Sequence, residues 1–179
     1  RERDDPTVLQ IYASGCSGDV TAGKYNDGTP ESRQALADRL YEAMVEAWSR
    51  LRRAPVEQVA FRSTPLELDF HPRPSLAANV LTAQLADDNL SVEARILAAM
   101  GLASRIRVEQ GELIDMPCID FGPAQIVLFP GESFVAYQLM AQQLRPASTV
   151  VSLGYGECWP GYIPTAHALD DQLTDTWPR

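Results

Sequence analysis

Apolar residues along this chain change their spacing several times, and each change marks an element. From Thr29 onward, Leu36, Leu40, Met44, Trp48 and Leu51 recur at three- or four-residue intervals, with Ala37, Ala43 and Ala47 beside them. That period places them on one stripe of a helix. Thr29 as cap, Pro30 at the first position and an early Glu31 fix its start, and the stripe predicts a helix to about Arg53 lying on a sheet. Residues 7–13 are continuously apolar and β-branched, which predicts a strand central in its sheet. Residues 56–70 alternate in patches around Pro65, which predicts an edge strand or two short strands, because proline cannot donate to a ladder.

Two helices are predicted over 74–88 and 91–110. Ser91 caps the second, Glu93 sits in its first turn, Ile96, Leu97, Met100 and Ala103 form its inner face, and Arg95, Arg105 and Arg107 its solvated side. Residues 113–122 and 125–129 read as a hairpin or paired strands around Gly122 and Pro123. The buried strand ending at Phe129 then breaks at Pro130-Gly131 straight into a helix, with Glu132 in its first turn and its end near Leu144. A short buried strand over 149–153 leads into 154–165, where Tyr155, Trp159 and Tyr162 stand among glycines and prolines as a rigid aromatic wall. Strands alternating with helices in this way define an α/β class, a mixed β-sheet core with flanking helices.

Composition narrows the function more than the fold. At 179 residues, 45% hydrophobic and 22% charged, the chain suits one compact unit. A net charge of -9 and a pI near 4.6 oppose nucleic acid and anionic membranes as general partners. Arg50, Arg52 and Arg53 read instead as the C-terminal end of a helix. No apolar run is long enough for a membrane span. Cys16, Cys118 and Cys158 have no metal-ligand spacing and cannot all pair with one another. His71 is read as a surface or locally satisfied residue, and residues 167–179 as a polar, weakly patterned tail.

The candidate chemistry lies at strand ends. In open α/β sheets ligands collect at the carboxyl ends of strands, where loops and helix N-termini converge. Three stretches end strands here: 15–28, the Pro130-Gly131-Glu132 turn, and 154–165. In the first, Gly15, Gly18, Gly23 and Gly28 let backbone pass close to a ligand, while Asp19, Thr21, Lys24, Asn26 and Asp27 offer donors and acceptors. It is not a phosphate loop, because Tyr25 follows Lys24 where a hydroxyl residue is required. Taken alone, Glu132 is better read as a charge complementing a helix dipole, worth about 0.3–1 kcal/mol, and the functional case rests on the convergence of the three loops.

Three segments, in order, resemble the neutral (non-lysosomal) ceramidase family and its uncharacterised bacterial branch. Gly18-Asp19-Val20-Thr21-Ala22-Gly23 is similar to that family's Gly-Asp-Val-Ser-Pro-Asn loop, and Pro130-Gly131-Glu132 to its Pro-Gly-Glu. Gly154-Tyr155 and Tyr162-Ile163-Pro164-Thr165 are similar to its Gly-Tyr and Tyr-Val/Ile-Thr-Thr pattern. The resemblance implies a zinc-dependent hydrolase that cleaves the amide bond of a ceramide-like lipid, or another amide or ester. It implies Glu132 and Tyr162 as metal ligands, and Thr21 and Asp19 beside the scissile bond. Thr21 replaces the family serine, which suits a hydrogen-bonding role better than a nucleophilic one. Gly18, Lys24, Asn26, Tyr155 and Trp159 would contact substrate.

The family's two zinc histidines precede its Gly-Asp-Val loop, and residues 1–17 contain none. The resemblance therefore implies that residues 1–179 are the C-terminal portion of a larger layered catalytic domain. A segment or chain of the same precursor would bring the histidines, and the protein would be exported. The chain also opens without an initiator methionine, at Arg1. Glu132 and Tyr162 alone leave a three- or four-ligand site incomplete, so weak or no zinc is expected without that segment. A non-catalytic relative holding a polar ligand or glycan against Tyr155 and Trp159 is the alternative. A structural domain whose glycine-rich loops only close strands is the third reading.

Overall fold

A computed structural model describes residues 7, 9, 11–68, 73–157 and 161–170. It is an α/β protein. Strands β1 (Ala60–Leu66), β2 (Ile114–Asp120), β3 (Ala124–Pro130) and β5 (Thr149–Gly156) form one sheet in the order β1-β2-β3-β5. The first two pairings are antiparallel and the last is parallel. The two-residue strands β4 (Glu132–Ser133) and β6 (Tyr162–Ile163) form a second, parallel pair.

Local chemistry explains most boundaries. Helix α1 (Pro30–Ser49) starts on Thr29, whose side chain accepts from the Ser32 N–H, with Pro30 and Glu31 in its first turn. Helix α3 (Val92–Glu109) starts in the same way on Ser91, which accepts from the Ala94 N–H. β2 and β3 form the expected hairpin: Gly122 takes a φ of 86°, and the Phe121 N–H donates to the Ala124 carbonyl at 2.9 Å. Pro65 falls in β1, an edge strand, where its missing N–H costs no ladder bond. β3, helix α4 (Val135–Leu144) and β5 make one βαβ crossover, the connection a parallel pair requires.

Several expectations are overturned. Residues 9 and 11–13 form no strand: Leu9, Ile11 and Tyr12 are more than four-fifths exposed, and among the described residues no strand pairs with them. The α1 stripe does not lie on the sheet. The helix buries no residue, and Leu40, Met44 and Trp48 face solvent, as does Leu51 beyond its end. The helix also stops at Ser49, four residues short, with Arg50 as its C-cap and paired to Glu46.

The packed face of α3 differs as well. Ile96 and Leu97 are exposed, whereas Ala98 and Gly101 are buried against helix α2 (Ala78–Ala86). A Cβ on Gly101 would sit 3.5 Å from Leu81, so small residues set the close approach of the two helices. Arg95 and Arg105 flank that contact rather than standing in solvent. The Arg95 Nε donates to the Leu85 carbonyl at the end of α2, and an Arg105 amino group donates to the Leu76 carbonyl. Both satisfy carbonyls that a helix end or turn leaves open. Arg107 does stay on the outer side, paired to Glu112 and Glu157.

Candidate functional site

The rim of the sheet is built by close backbone approach. At the end of β3, Gly131 takes a φ of 45°, and its carbonyl accepts from the Tyr155 N–H at 2.8 Å. A Cβ on Gly156 would come 2.6 Å from the Phe129 carbonyl oxygen, so the ends of β3 and β5 meet at a distance only glycine allows. Tyr155 itself has a φ of 61°, a left-handed conformation that costs a non-glycine residue about 1–3 kcal/mol. Its bond to Gly131 holds it there.

Glu132 is not in the first turn of α4, as its sequence context suggested. It lies in β4, opposite Tyr162 of β6, and α4 begins three residues later with no acid in its first turn. The dipole role for Glu132 is thereby removed. The Glu132 N–H donates to the Gly161 carbonyl, and the Phe134 N–H to the Ile163 carbonyl at 3.2 Å. Residues opposite one another on parallel strands send their side chains to the same side. The Glu132 carboxylate consequently raises the Tyr162 phenol above the usual tyrosine range, first by its charge; burial, nearby Tyr155 and the hydrogen bond to Glu132 add to the effect. The two residues the resemblance makes metal ligands are brought together.

The Gly15–Gly18 loop closes on the same rim. The Gly154 N–H donates to the Ser14 carbonyl at 2.8 Å, and the Gly18 N–H to the Ser133 carbonyl at 3.1 Å. A Cβ on Gly18 would lie 2.1 Å from the Glu132 carbonyl oxygen, so no other residue fits. One residue further, the Asp19 Oδ1 accepts from the Val135 N–H at 2.8 Å. Phe134 in the N-cap position offers no side-chain acceptor, so Asp19 caps α4 from 116 residues away. Cys16 is 3% exposed; burial, then the Asp19 charge, push its thiol up, partly offset by the Gln138 backbone, so it stays protonated and unreactive.

Gly18, Asp19, Glu132, Tyr155 and Tyr162 thus meet on one rim, and the convergence of three loops is a property of the structure. Thr21, Lys24 and Asn26 lie on the exposed continuation of the first loop. The Lys24 ammonium stands 5.2 Å from the centre of the Tyr25 ring, and Asn26 accepts from the Gly28 N–H. Asp27, read as a ligand-facing acceptor, instead accepts from Thr29 and Ser32 at the start of α1, which holds its carboxyl down to about 2. Trp159, His71 and Cys158 lie outside the described residues.

Sequence reasoning passed over two residues. Ser133 is 1% exposed and its hydroxyl donates to the Pro130 carbonyl at 2.7 Å, pinning the turn before Glu132. Tyr137 donates its hydroxyl to the Pro164 carbonyl at 2.9 Å. A small polar residue in an apolar run was the available signal for Ser133; nothing local marks Tyr137.

A zinc ion needs three or four protein ligands. Glu132 and Tyr162 supply two oxygen donors, which fits one side of such a site. Among the described residues, no group of three or more His, Cys, Asp or Glu could hold an ion. The rest of a zinc site would have to come from elsewhere.

No family model, no curated protein and no solved structure matches this chain. Fold and site together define an α/β protein with a converged polar rim at the carboxyl ends of two parallel strands. Among the described residues, no helix is long and apolar enough to cross a membrane.

Proposed function

We propose that this chain supplies the glutamate and tyrosine ligands of a zinc-dependent amidohydrolase site of the neutral-ceramidase kind, completed by histidines from a further segment of the same precursor. The observation that carries this reading is the pairing of Glu132 with Tyr162 on β4 and β6. Two adjacent oxygen donors at a sheet rim, with a third loop clamped beside them, suit an open catalytic metal site. A zinc ion bound there would lower the pKa of its water toward about 7 and polarise the scissile carbonyl.

The chain's own residues have distinct tasks in this reading. Glu132 and Tyr162 hold the ion. Asp19 fixes the glycine loop to α4, so its part is positioning. Thr21, two residues on, offers a hydroxyl to the substrate, and Lys24 and Asn26 extend the polar edge. Tyr155, with more than half of its surface exposed beside Tyr162, gives the apolar part of a lipid amide a face to lie on. The exposed stripe of α1 is a face that the histidine-bearing segment would cover. Export of the protein belongs to the same proposal.

The experiment is metal analysis and hydrolysis of ceramide-like amides by the full-length precursor, for the wild type and Glu132→Gln. We expect about one zinc per particle and turnover, with both lost in the variant while the fold survives. Metal content unchanged by the substitution would refute the ligand assignment. The exposed Tyr155 ring also favours a second reading, a binding relative that holds a glycan or polar ligand on this rim. Ligand retention without zinc or turnover would establish that alternative.

A further inference from the structure

We propose that Tyr137 is a positioning residue that holds the strand of Tyr162 against Glu132, through the hydrogen bond from its hydroxyl to the Pro164 carbonyl. The inference rests on the proposed function in one respect, that Glu132 and Tyr162 act as a pair.

The need for such a brace follows from the size of the second sheet. β4 and β6 have two residues each, and besides the ladder itself their flanks are joined by the backbone bonds from Glu132 to Gly161 and from Phe134 to Ile163. A two-stranded unit this short does not hold itself together in water. β4 is secured independently: Ser133 is buried and bonded to Pro130, Gly18 bonds to Ser133, and Asp19 bonds to Val135. β6 is held through side chains by the hydrogen bond between Tyr162 and Glu132 and, immediately after its last residue, by the 2.9 Å bond from Tyr137 to the Pro164 carbonyl.

Tyr137 is well placed for the task. It sits in the first turn of α4, five residues after Glu132, so the helix start fixes its position relative to that carboxylate. Its N–H donates to the Phe134 carbonyl, which tightens the same turn. The ring is half-buried, and burial pushes the phenol above its usual range, so the hydroxyl keeps its proton and remains a donor to a carbonyl that can only accept. Asp19 and Tyr137 therefore fasten two loops to one helix turn, the glycine loop by a carboxylate and the Tyr162 strand by a phenol.

The test is Tyr137→Phe in the whole chain, which removes one oxygen and keeps the ring. Hydrogen exchange follows the Glu132 and Phe134 amides, which donate to Gly161 and Ile163, with the Tyr155 amide, bonded to Gly131, as control, and thermal melting checks the fold. In Tyr137→Phe the Phe134 amide should exchange faster while the Tyr155 amide does not. Unchanged Phe134 exchange in a folded variant would overturn the proposal. The zinc content of the full-length precursor carrying Glu132→Gln separates this from the reading beneath it: metal unchanged there sinks the ligand pair, whereas unchanged Phe134 exchange in Tyr137→Phe sinks only the brace.

Discussion

The rim around α4 and the helix α1 are opposite outcomes of similar amphipathic sequence. Around α4, Phe129, Phe134, Val150 and Cys16 are all under a tenth exposed, and every loop that arrives there is tied by a backbone or side-chain bond. α1 is twice as long, has a good cap and a clear stripe, and buries nothing. Most helical stability in proteins comes from covering an apolar face rather than from propensity. The difference teaches that a cap and a period suffice to make a striped helix, whereas burial is decided by the strands and loops that reach it.

The sharpest way to break that comparison is to substitute one apolar residue in each region. Phe134→Ala should cost about 3–5 kcal/mol, because the ring is 4% exposed and truncation leaves a cavity. Leu40→Ser, at a position 62% exposed, should change stability by less than about 0.5 kcal/mol. Chemical denaturation of both variants decides the matter. A large loss at Leu40 would mean that α1 is covered in solution.

Next in size is a pair of glycines. Gly18→Ala should cost about 3 kcal/mol, since its Cβ would meet backbone at Glu132 that cannot step aside. Gly23→Ala meets only Thr21 side-chain atoms at 3.7–3.8 Å and should be close to neutral, within about 0.5 kcal/mol. Similar losses at both sites would show that the glycine loop is not clamped on the rim.

The smallest effects separate the two helix starts. Asp19→Ala should cost about 1 kcal/mol and speed amide exchange in the first turn of α4, leaving α1 untouched. For α1, acid is the probe. Hydrogen bonds from Ser32 and Thr29 depress the Asp27 carboxyl in the folded state, so its contribution is complete above the unfolded value near 4 and is lost as pH falls through about 2. Helical circular dichroism should show α1 fraying in that window, and Asp27→Asn should remove this pH dependence.

The sequence by itself determined what depends on neighbours a few residues away. Thr29 and Ser91 as caps, the Gly122 hairpin, Pro65 in an edge strand and the end of α4 at Leu144 were all legible, because each is settled by local hydrogen bonding or a fixed dihedral. So were two of the three glycine-bearing loops as strand ends, at Pro130 and Gly156; the first loop follows no strand among the described residues. Tertiary structure alone decided the rest. Periodicity places residues on a face without saying what covers it, so the α1 stripe and residues 9 and 11–13 were misread as core. The packed face of α3 was chosen by the close approach of Gly101 to Leu81, with Ala98 buried nearby, a matter of small volume rather than hydrophobicity. Glu132 left the helix its context suggested because the Tyr162 strand, thirty residues on, offered its backbone a partner. Asp19 became a cap only when folding carried it to Val135. The rim of this protein is made of such distant pairings, whose loop-closure cost is repaid only in the assembled fold, and no local pattern can record them.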